Sequence, residues 1–270
     1  MARQRVAESE IIKGAETIDL QEGGSHGVLL LHGFGDTPQT LSLLARRLAR
    51  SGFGVKAPLL PGHGRNTDAF RQSRADDWIA AARESLREMV GRYPTVSVVG
   101  LSMGGALAVI VAAESTSVTS LALVAPYLGM PPKLRFASAL HWLWGAFAGE
   151  VNSRSPRSIH DPIEREKNLA YGTVTARALF ELSRVVRKGR KALPRVKAPT
   201  LIIMSTGDPR VALTVGERAI KEVGASDKKL VVTEGGGHII TVDYGRERVF
   251  TEIEAWLRSH PGRGATAAEN

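Results

Sequence analysis

A serine flanked by glycines is the first residue of this sequence that suggests chemistry. Ser102 lies within Gly-Leu-Ser-Met-Gly-Gly, after a run of β-branched residues that begins at Val96, and a pattern of small apolar residues follows it. This order predicts a strand, a tight turn and a helix, with the serine at the apex. Glycines at 100 and 104 would avoid the crowding that a Cβ atom causes there. The turn indicates a nucleophile, and a glycine-rich turn without chemistry is the alternative.

A nucleophilic serine needs two partners, a base and an acid. A histidine must remove the hydroxyl proton, and an acid must orient that histidine. Reactive groups in a parallel sheet collect at the carboxyl ends of the strands, so we expect both partners just after later strands. Of the seven histidines, His238 follows a late predicted strand, beside three glycines. The chain order serine, acid, histidine favours Asp208. Asp227, which precedes a strand, and Asp161, in a predicted insertion, are the alternatives.

Acyl transfer also requires N–H groups that stabilise a negatively charged oxygen. One is expected from Met103, the residue after the serine, at the start of its helix. The other is expected from the loop after an early strand, where His32-Gly33-Phe34 follows an apolar run, and this makes Phe34 the second donor. No metal site is predicted, because no cluster of His, Asp and Glu has the spacing of metal ligands.

Four further polar residues favour structural interpretations. His32 and His63 are predicted to fix loops by hydrogen bonds rather than to act as bases. Asp36 is interpreted as a turn residue, with a contact to substrate as the alternative. Asp243, five residues after the candidate base, is interpreted as a helix cap rather than as the acid of the site.

Apolar runs and helical periodicities alternate along most of the chain. Short runs such as 27–32, bounded by glycine, indicate strands buried on both faces. Between such runs apolar residues recur at helical spacing, as at Leu41, Leu44 and Leu48. The alternation predicts an α/β fold, a mainly parallel sheet with helices on both faces. The predicted strands cover residues 27–32, 53–57, 95–100, 119–125, 200–204 and 229–233, after an edge strand within 10–20.

The alternation stops between residues 129 and 197, where the sequence favours helices. An aromatic group in this segment, formed by Trp142, Trp144 and Phe147, is predicted to line an acyl pocket or touch lipid, with the core of a cap as the alternative. Residues 176–191 form a basic amphipathic helix pattern. The predicted organisation is a core of residues 1–128 and 198–260, a helical cap insertion of residues 129–197, and a disordered tail at 261–270.

Charge is concentrated in the predicted insertion. Residues 129–197 contain 14 Lys/Arg and 5 Asp/Glu, whereas the remainder contains 22 of each. Such a segment either attracts anionic lipid surfaces or acidic substrates, or presents a solvated helical face, and the solvated face is favoured. Nucleic acid is not an expected partner, since few aromatic residues are interleaved with the basic ones. Composition makes no prediction about oligomeric state.

Length and composition also limit the compartment. The 270 residues suit one α/β domain with an insertion, and the absence of cysteine excludes disulfides and thiolate catalysis. The charged segment Met1 to Glu10 is unlike a secretory signal, which predicts a cytoplasmic protein. The longest apolar stretch, 96–113, contains the glycine turn, so we predict a buried strand and helix rather than a membrane span.

Five short motifs in this order resemble the α/β-hydrolase superfamily, and its bacterial carboxylesterase and monoacylglycerol lipase branch in particular. They are His-Gly-Phe at 32–34, Leu-Pro-Gly-His-Gly at 60–64, Gly-Leu-Ser-Met-Gly-Gly at 100–105, Asp-x-x-Val at 208–211 and Gly-His-Ile-Ile-Thr-Val-Asp at 237–243. The resemblance spans about residues 12–259. It implies a Ser102, Asp208 and His238 triad, an oxyanion hole at Phe34 and Met103, no cofactor, and a cap over the site.

Two residues depart from the pattern of that family. Ser205 stands where a glycine often follows the strand, and Gly237 stands where a serine often precedes the histidine. Both departures affect the loops around the site rather than its reactive groups.

The predicted reaction is hydrolysis of carboxylic esters, either short- to medium-chain acyl esters or monoacylglycerols, through an acyl-enzyme. A serine at 102 disfavours the relatives that use an aspartate nucleophile. Carbon–carbon bond hydrolysis, peptidase activity and acyl transfer stay open, because the same triad serves them. A catalytically silent binding protein is the alternative from another functional class.

Overall fold

Alternating strands and helices form the fold of this chain. The structure is a computed structural model that describes residues 10–21, 24–145, 150–153 and 155–262. The strands are β1 (Ile18–Leu20), β2 (His26–Leu31), β3 (Gly54–Ala57), β4 (Thr95–Leu101), β5 (Val118–Val124), β6 (Val151–Asn152), β7 (Thr173–Val174), β8 (Thr200–Ser205) and β9 (Lys228–Thr233). The α-helices are α1 (Ser42–Arg50), α2 (Thr67–Gln72), α3 (Ala75–Arg92), α4 (Met103–Glu114), α5 (Pro132–Ala139), α6 (His141–Trp144), α7 (Pro162–Lys167), α8 (Ala176–Ala192), α9 (Leu213–Glu222) and α10 (Arg246–Ser259).

One seven-stranded sheet has the order β1-β3-β2-β4-β5-β8-β9. All its pairings are parallel except that of β1 with β3, which is antiparallel. Every residue of β2, β4 and β8 is buried, as the continuous apolar runs predict for strands covered on both faces. The predicted fold class, a mainly parallel sheet between helices, is confirmed.

Helices cover the sheet in two layers, each with its own apolar cluster. Side chains of α3, α4 and α8 form the cluster on one face, and side chains of α1 and α10 form the cluster on the other. Helix α4 is apolar around most of its circumference because it is packed between the sheet and the outer helices. The short helix α2 is absent from the sequence prediction. Asn66 begins it by accepting a hydrogen bond from the backbone N–H of Ala69.

The described residues of the segment 129–197 are mostly helical, with two differences from the prediction. Strands β6 and β7, of two residues each, pair as an antiparallel ladder where no strand is predicted. Helix α8 packs against α4 in the core cluster, because its apolar stripe of Leu179, Leu182 and Val186 meets that helix. The cap boundaries 129–197 stay a prediction, as does the disordered tail, since residues 263–270 lie outside the described residues.

The position of α8 also changes the interpretation of the charge. Residues 176–197 contain 8 Lys/Arg and 1 Asp/Glu, so most of the excess belongs to this helix and the turn after it. Arg184 and Lys188 both pair with Asp76 at the start of α3. The basic excess therefore lies largely on the outer helix layer of the core. Along the described part of the chain, no helix has the length and apolarity needed to cross a bilayer.

Candidate active site

Ser102 lies in a strained turn between β4 and α4. Its backbone has φ 55° and ψ −117°, a combination that non-glycine residues seldom adopt and that costs roughly 1–3 kcal/mol. A Cβ atom on Gly104 would lie 1.9 Å from the carbonyl oxygen of Leu31, and one on Gly100 would lie 2.3 Å from that of Gly104. The turn can therefore form only with glycine at both positions, which is the steric reason predicted from the sequence.

The structure brings Ser102, His238 and Asp208 into one hydrogen-bonded chain. His238 Nε2 lies 2.8 Å from Ser102 Oγ, and His238 Nδ1 lies 2.8 Å from Asp208 Oδ2. The three residues follow β4, β9 and β8 respectively, all at the carboxyl edge of the sheet. With Nδ1–H donated to the aspartate, Nε2 is free to accept the proton of the serine hydroxyl. This arrangement can generate a nucleophilic serine.

Backbone N–H groups hold the carboxylate of Asp208 in place. Asp208 Oδ1 accepts hydrogen bonds from the N–H groups of Arg210 at 2.7 Å and Val211 at 3.0 Å, which leaves Oδ2 for the histidine. Burial raises the pKa of Asp208, but the hydrogen bond and positive charge of His238 and the two backbone N–H groups outweigh burial and lower it. The carboxylate is therefore ionised at neutral pH and can stabilise a protonated His238.

The two alternative acids lie elsewhere. Asp227 precedes β9 and so lies at the amino-terminal end of the parallel strands, opposite the end that carries Ser102. Its carboxylate lies 2.9 Å from His260 Nε2. Asp161 caps helix α7 by accepting hydrogen bonds from the backbone N–H groups of Ile163 and Glu164. Neither is bonded to His238, so Asp208 is the acid in contact with the histidine.

The predicted oxyanion donors flank the nucleophile. Met103 begins α4, where the first N–H groups of a helix have no partner within it. The loop of Phe34 passes beside the serine, since a Cβ atom on Gly33 would lie 3.5 Å from the Cβ of Ser102. In the described part of the chain, neither the Phe34 nor the Met103 N–H donates to a protein acceptor. Both are available to a substrate oxygen, so their role as an oxyanion hole stays a proposal supported by position.

Two buried histidines fix the loops at residues 32–34 and 60–64. His32 Nδ1–H donates to the carbonyl of Gly33, and its Nε2 accepts the N–H of Leu60. His63 Nδ1 bonds to the carbonyl of Pro61. Burial lowers the pKa of His32 to about 4 and lowers that of His63 well below its usual value, so both are neutral. The predicted loop-fixing role of these histidines is confirmed.

Asp36 is buried in the turn after this loop and is expected to make stability depend on pH. Its carboxylate accepts hydrogen bonds from Thr37 N–H and the Thr40 hydroxyl, as a turn residue would. Burial raises its pKa from 3.8 to about 6, although these hydrogen bonds oppose the rise. Because the folded-state pKa exceeds the unfolded one, ionisation destabilises the fold progressively as pH rises through this interval.

We expect Asp36→Asn to remove that pH dependence. The amide oxygen can accept the Thr37 N–H, and its NH2 can donate to Thr40 Oγ1, so the turn is retained. Relative to the unmodified protein, the variant should gain up to roughly 3 kcal/mol of unfolding free energy between about pH 4 and pH 8. Urea unfolding at both pH values measures this, with Asp68→Asn at an exposed position as control. Identical pH dependence in the unmodified and Asp36→Asn proteins would contradict it.

Two of the three aromatic residues predicted to line a pocket, Trp142 and Trp144, differ in their exposure to solvent. Trp142 is 67% exposed, on α6. Trp144 is half-buried against the core cluster, and its indole N–H donates to the carbonyl of Ala137, so it ties α6 to α5. Phe147 lies outside the described residues. For Trp144 the structure favours the packing interpretation, while an acyl pocket formed by the three stays a prediction.

Sequence reasoning did not identify the residues that attach the insertion to the site. Tyr171 donates its N–H to the carbonyl of Gly35 and its hydroxyl to that of Gly62. Arg210 reaches from the loop of Asp208 to the carbonyl of Ser153. These residues lie in loops without periodicity, so no local pattern marked them.

Asp243 is not the helix cap that the sequence suggested. Gly245 occupies the N-cap position of α10. The carboxylate of Asp243 instead accepts hydrogen bonds from the backbone N–H groups of four residues. These are His160, Asp161, Gly237 and Tyr244.

The two departures from the family pattern have structural explanations. The Ser205 hydroxyl donates to the carbonyl of Gly236 and so joins the loop of the aspartate to that of the histidine. A side chain on Gly237 would collide with the carbonyl of Arg157, which lies 2.2 Å from the position of a Cβ atom. Among the residues that the structure describes, no group of three or more His, Asp or Glu is arranged to bind a metal.

Known proteins are similar to this chain in sequence, and a solved structure is similar to it in fold. The chain is 28% identical over 254 residues to a thermostable monoacylglycerol lipase of Bacillus sp. (strain H-257), covering 93% of this chain and 98% of the relative. It is 23% identical to a carboxylesterase of Bacillus subtilis (strain 168), with coverage of 87% and 94%. A solved structure of a metagenome-derived lipolytic enzyme superposes with a TM-score of 0.85 at 30% identity, covering 93% of this chain and all of the other.

The family match covers the strands and loops that carry the site. Residues 25–244 match the family described as "Serine aminopeptidase, S33", a span that includes Ser102, Asp208 and His238. The strand order and the strained serine turn agree with that assignment. This chain therefore belongs to the α/β-hydrolase superfamily and, within it, to the family described as serine aminopeptidase, S33.

Proposed function

We propose that this chain is a serine hydrolase of carboxylic esters that works through an acyl-enzyme. The observation that carries the proposal is the chain of hydrogen bonds from Asp208 through His238 to Ser102, beside two available N–H groups. The monoacylglycerol lipase and carboxylesterase among its relatives support the choice of esters, as does the lipolytic enzyme among the solved structures. Acyl esters of short to medium chain length and monoacylglycerols are the proposed substrates.

The geometry assigns a role to each group in the reaction. Ser102 Oγ attacks the ester carbonyl carbon while His238 Nε2 takes the hydroxyl proton. The N–H groups of Phe34 and Met103 stabilise the oxyanion, and losing one such donor costs roughly 3 kcal/mol of barrier. Collapse of the intermediate expels the alcohol, which receives the proton from His238. A water molecule, deprotonated by the same histidine, then releases the carboxylic acid and regenerates Ser102.

A panel of substrates tests the proposal. We expect hydrolysis of p-nitrophenyl esters from two to sixteen carbons and of monoacylglycerols, together with a fluorophosphonate adduct at Ser102. An aminoacyl p-nitroanilide tests peptidase activity, which the family description suggests. A vinylogous diketone tests carbon–carbon cleavage, and an added alcohol acceptor tests acyl transfer. Cleavage of one of these with all esters inert would overturn the ester proposal, and absence of any adduct would favour a silent binding protein.

We further propose that helices α5 and α6 contact an anionic lipid surface. Phe136 and Trp142 are 69% and 67% exposed, and Leu143, the residue after Trp142, is also exposed. The two helices thus expose three large apolar side chains within eight residues of chain, and exposed apolar surface of this kind is typical of an interaction site. Lys133 and Arg135, both exposed on α5, add charge complementary to anionic phospholipid headgroups. This contact would bring the chain to a surface on which a lipid ester is available.

Vesicle binding provides the measurement. We expect the double variant Phe136→Ser/Trp142→Ser to bind vesicles of phosphatidylcholine and phosphatidylglycerol at least about tenfold more weakly, because each side chain loses more than about 1 kcal/mol of apolar burial. Higher salt should also weaken binding of the unmodified protein, by screening Lys133 and Arg135. The control is Val90→Ser/Val232→Ser, at exposed positions of α3 and β9. An unmodified protein that does not sediment with the vesicles would contradict the proposal.

The cytoplasmic location stays a prediction of the sequence. Fractionation of cells that produce the protein, with separate recovery of the membrane and of the aqueous compartments, would test it.

A further inference from the structure

Asp243 is a buried carboxylate that accepts four backbone hydrogen bonds. Its side chain is fully inaccessible to solvent. Oδ1 accepts from Asp161 N–H and Tyr244 N–H, each at 2.8 Å, and Oδ2 accepts from His160 N–H at 2.8 Å and Gly237 N–H at 2.7 Å. Both oxygens of this side chain are therefore held by backbone N–H groups. One side chain therefore joins the segment of the catalytic histidine to a segment of the insertion that lies 82 to 83 residues before Asp243.

The insertion segment held by Asp243 crosses the loop of His238. We call residues 155–161 the strap. Ser158 of the strap accepts the N–H of Ile239, the residue after the histidine, at 2.9 Å. His160 Nδ1 bonds to the carbonyl of Gly235 at 3.0 Å. The backbone on both sides of His238 is thus bonded to the strap or to Asp243.

Close packing of the strap depends on the glycine before the histidine. A Cβ atom on Gly237 would lie 2.2 Å from the carbonyl oxygen of Arg157 and 2.8 Å from that of Ser158. The N–H of the same glycine donates to Asp243. Gly237, one of the two residues that depart from the family pattern, is therefore the residue against which the strap packs.

The strap also touches the loop of the catalytic aspartate. Arg210 donates its N–H to Asp208 Oδ1 and its side-chain Nε–H to the hydroxyl of Ser158, at 2.8 Å. The strap consequently bridges the loops of the base and of the acid. Its placement constrains the distance between His238 and Asp208 from outside the triad.

We propose that Asp243 is a positioning residue for His238, acting through the Gly237 N–H and through the strap that it holds against the histidine loop. The inference rests on the proposed ester hydrolysis. An imidazole held by one hydrogen bond to Asp208 keeps freedom to tilt about that bond. Fixing the backbone on both sides of the histidine removes this freedom and keeps Nε2 aimed at Ser102 Oγ.

The variant Asp243→Ala removes all four acceptors and tests the proposal. We expect kcat for a p-nitrophenyl ester to fall about 10- to 100-fold, because small displacements of a catalytic group have effects of this size. KM should stay within about twofold, since the groups proposed to bind the ester are untouched. Amide hydrogen exchange should accelerate at His160, Asp161, Gly237 and Tyr244. The matched control Asp227→Ala, at the exposed carboxylate paired with His260, should leave kcat and these amides unchanged.

A second variant applies if Asp243→Ala does not fold. Gly237→Ala keeps the carboxylate and pushes the strap carbonyl away, and we expect at least about a tenfold loss of kcat with KM unchanged, and faster exchange at Ile239. In either folded variant, an unchanged kcat, or a loss that appears in KM alone, would overturn the positioning role. An unmodified protein that neither hydrolyses the ester nor forms a fluorophosphonate adduct would overturn the proposed function instead.

Discussion

Replacing Ser102 by alanine is expected to lower kcat/KM for p-nitrophenyl esters by about 10⁴-fold or more and to abolish covalent labelling by a fluorophosphonate. The change removes only the hydroxyl group, whose oxygen lies 2.8 Å from His238 Nε2. The acyl-enzyme cannot form without this hydroxyl. The residual activity is then direct attack by water on the ester, which the oxyanion donors stabilise.

The free energy of unfolding should not change in Ser102→Ala. The Ser102 backbone is strained with or without the hydroxyl, and the N–H of Gly105 and that of Tyr127 bond to the Ser102 carbonyl rather than to its side chain. We therefore expect an unchanged unfolding midpoint. Ser117→Ala, at an exposed serine after α4, is the matched control and should keep both activity and labelling. Hydrolysis by Ser102→Ala at the unmodified rate, or an adduct on another residue, would refute the assignment of the nucleophile.

Replacing Asp208 by asparagine is expected to lower kcat about 10⁴-fold while leaving the site geometry nearly unchanged. Two backbone N–H groups, from Arg210 and Val211, hold Oδ1 as an acceptor, so the amide oxygen of the asparagine must take that position. Its NH2 group then faces His238 Nδ1. This histidine is forced into the tautomer with a proton on Nε2, which cannot accept the proton of Ser102.

The alternative acid supplies the control for this experiment. Asp227→Asn changes an aspartate that precedes β9 and pairs with His260, and it should keep kcat within about twofold. The rates of ester hydrolysis and of fluorophosphonate labelling measure both variants. A full loss in Asp227→Asn, with Asp208→Asn active, would return the role of the acid to the residue that the sequence left as the alternative.

Local sequence determined the sheet and the positions of the three candidate catalytic residues of this protein. Continuous apolar runs indicate strands buried on both faces, and glycines at 100 and 104 mark a turn that tolerates no side chain. A parallel sheet delivers the carboxyl ends of its strands to one edge, so chain order alone brings Asp208 and His238 to Ser102. Here the prediction needed no knowledge of distant contacts, because the period of each element and the direction of each strand were sufficient.

Only the tertiary structure decided which side chains of residues 129–197 pack against the core and which are exposed. Helix α8 has the periodicity of any amphipathic helix, and only the apolar surface of α4 shows that it packs on the core. Trp142 and Trp144 are two residues apart with similar neighbours, yet one is exposed and the other half-buried.

Asp243 shows the same limit most clearly. Its sequence context suggests a cap for the following helix, whereas its carboxylate binds N–H groups from a segment 83 residues earlier. Backbone donors are present at almost every residue and carry no sequence signal, so their convergence on one buried side chain appears only when the loops meet. The sequence by itself thus determined the candidate catalytic residues and the strands that bring them together. The tertiary structure decided which contacts hold those residues in place, because those contacts form only between segments that are distant in the chain.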